Sequence, residues 1–518
     1  MDYNTLDWAL SLLPMLVVLG LMIGAGWTAN RAGLAGWLLA LGVAAWRFGA
    51  GTDALGYAQV KALLLTVDVS LIIWAALLLY DIVDRAGALI VIAHSLASLT
   101  ADTMLQTLLL GWAFASFLQG VGGFGVPVAI TAPLLIGLGV PNVRAVIIPA
   151  LGHSWAVTFG SLATSFILLS TVTGIPGEKL APAPALMLGV LCYVTGLMIA
   201  HVLDGWRGMR RALPYILVVG TAMSAAQYAL AVNGLWTLGA IGGGAAGLLT
   251  SVLWIRWRGP AGAPPRDQPT TGTRPLPSLR LAVAGYVILV VLALVLRGLA
   301  PVKEYLGQWA VAVDIPTTTT DRGWTVATEA DEGFGIPGHP GLIILYSSLI
   351  AYGLYHHAGL YKSGDARSIV QRSGTRAIKS AIGVYMMVAI AATMARAGMI
   401  DVLARGMSDA LPADLYVFVA PLIGALGAFV TGSNVNSNAV FGMLQLNTAQ
   451  MLGLSVYAIL GAQTAAAAVI SVMSPAKVMV GCSTVGANEG EVIRRLLGYG
   501  AVVVLLVGVM AWIGVNVL

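Results

Sequence analysis

Apolar runs of about 20 residues, the length that spans a bilayer core, recur along the chain, and polar, glycine-rich stretches interrupt them at matching places in its two halves. The first interruption reads Gln119-Gly120-Val121-Gly122-Gly123-Phe124-Gly125-Val126-Pro127, the second Gly432-Ser433-Asn434-Val435-Asn436-Ser437-Asn438. Hydrocarbon offers freed backbone groups no water, so a helix broken at membrane depth persists only inside protein or beside a wet cavity. Breaks in corresponding positions of two halves are the strongest sequence pointer to a carrier's binding site.

The chain has 518 residues, of which 58% are hydrophobic and only 9% charged. Soluble domains carry roughly 25% charged residues, so the fold class is an all-α polytopic membrane protein. The net charge of +5 calls for no nucleic-acid partner, because basic residues of membrane proteins collect in cytoplasmic loops. The run Leu10 to Gly26 lacks a basic leader and a small-residue cleavage site, and reads as the first membrane helix rather than a signal peptide. Cys192 and Cys482 lie far apart in apolar surroundings and indicate packing, not a disulfide framework.

Hydropathy places helices near 9–26, 32–49, 62–80, 144–170, 183–203, 213–233, 236–255, 281–297, 340–357, 379–396, 414–430, 455–474 and 496–518. The segments 101–138 and 430–452 fit poorly as simple spans and read as short half-helices meeting at a polar turn, which a re-entrant hairpin requires. Basic clusters, Arg207 to Arg211, Arg256 to Arg280, Lys362 to Lys379 and Arg494-Arg495, contrast with the acidic loop from Pro301 to Pro340. Positive-inside logic puts the former in the cytoplasm and the latter outside, with both termini outside. A Pro/Gly/Arg-rich linker, 256–280, separates a first half, 1–255, from a second, 281–518. The second half has a further small-polar break at Ser471-Val472-Met473-Ser474-Pro475, and the first at Gly152-His153-Ser154 through Thr158 to Ser161.

Each interruption has two readings. Glycines at 122, 123 and 125 let backbone approach a ligand, and amides at half-helix starts favour anions; small residues equally serve close helix packing. Ser433, Asn434, Asn436, Ser437 and Asn438 put costly polar groups at depth. They could hold a carboxylate and a hydroxyl or coordinate a dehydrated cation, or only cap half-helices. Ser474-Pro475 is also an ordinary kink. Ionisable residues inside the membrane are functional candidates by default: His153, within the first-half break, and Asp68. His153 could bind an anion or relay protons, or remain neutral and bond a neighbouring helix. Arg396 ends a long apolar run and could clamp a carboxylate, though its place near a helix end favours snorkelling to the interface. The chain has no His-Glu-x-x-His pattern and no acid pair for an intramembrane enzyme, and no metal site.

These residues resemble the L-lactate permease family, bacterial carriers of lactate and glycolate. The resemblance lies in Gly123-Phe124-Gly125-Val126-Pro127 with Ala129-Ile130-Thr131-Ala132, and in Thr431-Gly432-Ser433 with Ser437-Asn438-Ala439-Val440-Phe441-Gly442. It continues through Met473-Ser474-Pro475-Ala476-Lys477 and Gly481-Cys482-Ser483-Thr484-Val485-Gly486. It implies a secondary carrier of small monocarboxylates in the inner membrane, coupled to a cation, usually the proton, and without a cofactor. It further implies about 12–14 transmembrane helices in two inverted repeats, each with a re-entrant hairpin and a broken helix. An elevator-type transport domain would move against a scaffold through which two copies could dimerise.

Where the family usually shows glutamate before the first hairpin tip this chain has Gln119, where it commonly has aspartate, Asn434, and where it has lysine ahead of the Ser-Pro break, Ser471. His153 could take over a proton role, or sodium could drive the cycle; Asp68, Gln119 and Arg396 complete the candidate coupling residues. The expected substrate is a small 2-hydroxy-monocarboxylate. Its carboxylate would lie on amides at Gly122, Gly123, Phe124, Gly125, Ser433 and Asn434, and its hydroxyl near Asn436, Asn438, Ser154 or Thr158, with His153, Ser437 and Ser474 alongside. The rivals are a sodium-coupled carrier of another organic anion and, from other classes, an intramembrane enzyme or a passive channel.

Overall fold

The computed structural model describes residues 4–123, 125–258, 275–311, 313–328 and 334–517. Phe124 and most of the 256–280 linker lie outside them. The architecture is helical throughout, except that the loop between Gly298 and Pro340 carries two ribbons of two-residue strands, Ala310–Val311 with Phe334–Gly335 and Thr318–Thr319 with Thr325–Val326. Among the described residues, ten helices are long and apolar enough to cross a membrane. That set counts Pro182–Val232 as one, although Asp204 and Gly205 leave helical geometry inside it. It does not contain the less apolar Ala29–Phe48 and Pro340–His357, nor the interrupted 142–173 segment. Large side chains such as Leu349, Ile378 and Leu505 stand exposed on the outside, an apolar surface that lipid covers. The chain is a multi-pass membrane protein.

Two long helices organise the molecule. Thr52–Arg85 and Asp365–Arg396 outrun the expected spans 62–80 and 379–396. At 1.5 Å per residue the 34-residue helix measures about 51 Å, against a hydrocarbon core of about 30 Å, so its charged ends project beyond the apolar layer. The two run antiparallel. Arg85 pairs with Asp365 at 2.6 Å, Arg376 with Asp81, and Gln59 Nε2 donates to Thr393 Oγ1 at 3.0 Å.

Each long helix ends in an Arg-Ala-Gly turn whose glycine, Gly87 (φ 74°) or Gly398 (φ 80°), is left-handed and caps a short helix, Ala88–Ala97 or Met399–Ala410. A helix pair with a tight turn follows in both halves: Thr103–Val121, π-helical over Leu109–Phe114, with Val126–Gly137, and Ala413–Thr431 with Asn434–Met451. The second turn lies at 432–433, so the run expected as a simple span near 414–430 is the entering arm of this pair. A broken helix comes next in each half, Asn142–Ser154 with Thr164–Thr173, and Val456–Ser471 with Pro475–Val485. Backbone approaches backbone where these pieces cross: a Cβ on Gly152 would lie 1.8 Å from the Gly111 carbonyl oxygen, so only glycine fits.

Candidate functional site

At the second turn, Gly432 is left-handed (φ 66°), and Ser433, extended, caps the new helix by accepting the Asn436 N–H at 3.2 Å. Asn434 and Asn438, one helical turn apart, then face the same way. Asn434 Nδ2 donates to Thr158 Oγ1 at 3.2 Å and Thr464 Oγ1 at 3.3 Å. Asn438 Nδ2 donates to Thr464 Oγ1 at 2.9 Å and to the Ser165 carbonyl at 3.0 Å. Thr158 closes the ring by donating to the Thr464 carbonyl at 3.1 Å. All are buried, and Asn438 Oδ1 has no hydrogen-bond partner among the described residues. This uncharged ring joins the broken helices of both halves to the second turn.

Ser437 faces elsewhere, accepting from Gln463 Nε2 at 3.1 Å and donating to the Gly424 carbonyl at 2.8 Å. Gln445 extends that chain to Gln463 Oε1 at 3.0 Å and Tyr416 at 2.6 Å, which staples the arms together. Asn436 lines a narrow gap with Val18 and Met387 and does not enter the ring.

Beside the ring, two helix beginnings meet. A Cβ on Gly432 would lie 3.0 Å from Ser474 Oγ and 3.8 Å from Ala476 Cβ. The starts of Asn434–Met451 and Pro475–Val485, capped by Ser433 and Ser474, are therefore neighbours, and helix starts favour anions. Lys477, one turn in, donates from Nζ to Ser471 Oγ at 3.2 Å and has no ion-pair partner among the described residues. Its helix, Pro475–Val485, packs against Asn142–Ser154, which carries His153. His153 is buried, and its Nδ1 lies 2.5 Å from the Pro149 carbonyl oxygen. A carbonyl can only accept, so Nδ1 carries a hydrogen, and in the neutral ring Nε2 then keeps the lone pair.

The first turn is locked to the first break. Ser161 and Leu162 donate their amides to the carbonyls of Gln119 (2.8 Å) and Gly120 (3.1 Å), capping the helix that ends at Val121. Ser161, Leu162 and Ala163 are all left-handed (φ 47°, 58° and 63°), a conformation costing roughly 1–2 kcal/mol per residue. Gly123 (φ 48°) must be glycine, since a Cβ would fall 1.9 Å from Ser161 Oγ. Gln119 packs its side-chain amide against Gly160. Gly122 abuts Tyr80 and Gly125 abuts Val480, so neither reaches the ring, and Ser154 bonds back to the Leu151 carbonyl at 2.7 Å.

Two ionisable candidates stand apart. Asp68 Oδ1 accepts from His339 Nε2 at 2.7 Å and borders a cavity away from the ring. Arg396 does not snorkel: it is 3% exposed, bonded to Thr318 Oγ1 at 2.9 Å and the Pro316 carbonyl at 3.2 Å, with its guanidinium over Tyr57. The described part of the 299–339 loop folds over it. Sequence reasoning missed Thr464, Ser165 and Lys477 as site residues. The Gln463-Thr464 pair inside an apolar run was the available signal for the first.

A membrane protein with paired broken helices around a buried polar ring has the build of a transporter. The chain belongs to the L-lactate permease family, whose sequence pattern it matches over residues 7–518; this is a permease family, not an enzyme family. It is 27% identical to the L-lactate permease of Salmonella typhimurium over 474 residues, covering 86% of this chain and 84% of that one. It is 26% identical over 476 residues to the glycolate permease GlcA of Escherichia coli K12, covering 85% and 83%. In fold it is similar to the YdaH transporter of Alcanivorax borkumensis (TM-score 0.52, 15% identity, 95% and 98% covered). It is equally similar to Neisseria gonorrhoeae MtrF (TM-score 0.52, 14% identity, 97% and 98% covered).

Proposed function

We propose that this permease carries small 2-hydroxy-monocarboxylates, L-lactate or glycolate, across the cytoplasmic membrane by proton-coupled alternating access. The observation that carries the reading is the pairing of a lone ammonium, Lys477, and two serine-capped helix starts with a neutral hydrogen-bonding ring. The carboxylate takes the helix starts and the ammonium, and the 2-hydroxyl donates to Asn438 Oδ1, the acceptor that lacks a partner. The names of the relatives support lactate and glycolate as the acids.

Coupling follows from charge. A protonated His153 and Lys477 repel each other across a medium of low dielectric, and an anion between them removes that penalty. Proton and carboxylate therefore bind better together than apart, a positive coupling between two sites. A second reading, sodium coupling, is favoured by the uncharged oxygens of Thr158, Asn434, Asn438 and Thr464, which include no carboxylate.

The element order supports two inverted repeats. The Arg85-Ala86-Gly87 and Arg396-Ala397-Gly398 turns are equivalent in their halves yet lie at opposite ends of an antiparallel pair, one beside the basic 362–376 stretch and the other under the acidic outer loop. Val126–Gly137, 12 residues or about 18 Å, is too short to cross about 30 Å of hydrocarbon, as a re-entrant arm should be. The hairpins and broken helices would form the moving domain of an elevator, and the long helix pair its scaffold.

The test is uptake of radiolabelled L-lactate into proteoliposomes under separately imposed pH and sodium gradients. Accumulation driven by inward protons is expected. Accumulation driven by sodium alone transfers the coupling role to the oxygen ring, and no accumulation under either gradient refutes the substrate reading.

A further inference from the structure

The helix Pro182–Val232 breaks at Asp204 and Gly205 (φ 57°), and a cavity of about 820 Å³ opens at the break. Three elements wall it: the start of Asn142–Ser154 with Arg144, the last turn before the break with His201 and Val202, and Glu489–Val517 with Arg494, Arg495 and Val502. Arg144 crosses to the break, where Nη1 donates to the Leu203 carbonyl at 3.2 Å. His201 Nδ1 and the Tyr499 hydroxyl bond at 2.8 Å.

The charges here do not cancel. Arg495 pairs with Glu491 at 2.6 Å, but Arg144 and Arg494 have no ion-pair partner among the described residues. Asp204, the acid in the lining, is exposed and likewise unpaired among them. Even with Glu491, which borders Arg494 on the adjoining surface, three guanidiniums face two carboxylates. A guanidinium fork matches the paired oxygens of a phosphate.

The cavity lies at the edge of the lipid-facing surface. Val502, in its wall, is 56% exposed, and Leu505, one turn on, is 65% exposed. Trp206, edge-on to His201 with ring centres 5.7 Å apart, is 72% exposed, and tryptophan favours the headgroup level of a bilayer. Arg207, Arg210 and Arg211 follow the break, which makes this the basic rim, the side where anionic lipids are attracted.

We propose that this cavity binds the phosphodiester headgroup of an anionic phospholipid, drawn from the leaflet on the basic side. The phosphate lies between Arg144 and Arg494, and an acyl chain leaves over Val202 and Val502. Such a lipid ties the first broken helix to the last helix of the chain. The proposal is independent of what the permease carries.

Native mass spectrometry of the full chain, titrated in neutral detergent with phosphatidylglycerol or phosphatidylcholine, tests it. The wild type should retain a single phosphatidylglycerol in preference to phosphatidylcholine. Arg144→Gln and Arg494→Gln should each weaken that retention about fivefold, or about 1 kcal/mol. Gly498 lines the cavity, and a Cβ there meets open space, so Gly498→Leu should fold, fill the cavity and abolish retention with every charge in place. Arg367→Gln, in a different basic loop, should leave retention unchanged. Excess inorganic phosphate should not displace the lipid; displacement would assign the cavity to a soluble phosphate and overturn the proposal. Equal retention of the two lipids overturns it too, as does unchanged retention in Gly498→Leu or in both arginine variants.

Discussion

Lys477 places an ammonium at a crossing of apolar helices with only a neutral hydroxyl, Ser471 Oγ at 3.2 Å, bonded to it. Lys477 is part-buried, and even partial removal of a charge from water without a counter-charge costs stability, so its presence makes sense if a ligand supplies the missing anion. Lys477→Met should therefore melt at a higher temperature than the wild type while L-lactate uptake at low substrate falls at least about tenfold, or about 1.4 kcal/mol of lost affinity. Lys477→Arg, which keeps the charge, should retain more uptake. A Met variant that transports normally would remove Lys477 from the site. Asn438 makes a different prediction, because its Oδ1 awaits a donor. Asn438→Ala should weaken inhibition of L-lactate uptake by glycolate by about 1–3 kcal/mol, yet leave inhibition by propionate, which has no hydroxyl, nearly unchanged. Equal loss for both competitors would show that Asn438 does not read the hydroxyl.

Among the elements, the most constrained is the join between the first turn and the first break. Three consecutive left-handed residues persist there because Ser161 and Leu162 cap the preceding helix and Gly123 leaves room for Ser161. Gly123→Ala should cost about 2–5 kcal/mol, combining the left-handed penalty with steric overlap. Gly174→Ala, equally left-handed (φ 68°) but with open space around it, should cost only about 1–2 kcal/mol. Thermal melts of the two variants separate overlap from strain, and equal losses would deny the close contact. Both turns were legible in the sequence because glycine and asparagine runs stand out against hydrocarbon. Thr464 and Ser165 were not, since one hydroxyl in an apolar helix looks the same whether it bonds its own backbone or a neighbour's side chain. Hydropathy also truncated the two long helices, because Lys61, Asp81 and Arg376 depress an average while in the fold Asp81 and Arg376 pair beyond the apolar layer. The inward turn of Arg396 depends on a loop that folds back from some 80 residues upstream in the chain, which no local pattern reports.

For the molecule as a whole, the repeated order of long helix, Arg-Ala-Gly turn, short helix, helix pair and broken helix sets the topology. If the two copies are inverted, equivalent points must face opposite sides of the membrane. The antiparallel packing of Thr52–Arg85 on Asp365–Arg396 provides this, because their C-terminal turns lie at opposite ends of one pair. On the inverted reading the short helices after those turns, Ala88–Ala97 and Met399–Ala410, should lie on opposite faces of the membrane, the first on the side of the basic loops and the second on the side of the acidic one. Ser98 and Ala410, exposed at the far ends of these helices, are equivalent reporters. The two native cysteines are buried, so background labelling should be low. In sealed right-side-out vesicles a membrane-impermeant maleimide should modify Ala410→Cys at once and Ser98→Cys only after the membrane is opened. Inside-out vesicles should reverse the order. If both cysteines react from the same side, the repeats are parallel, and a carrier that exchanges inward and outward states by swapping the roles of two mirrored halves is not what this chain builds.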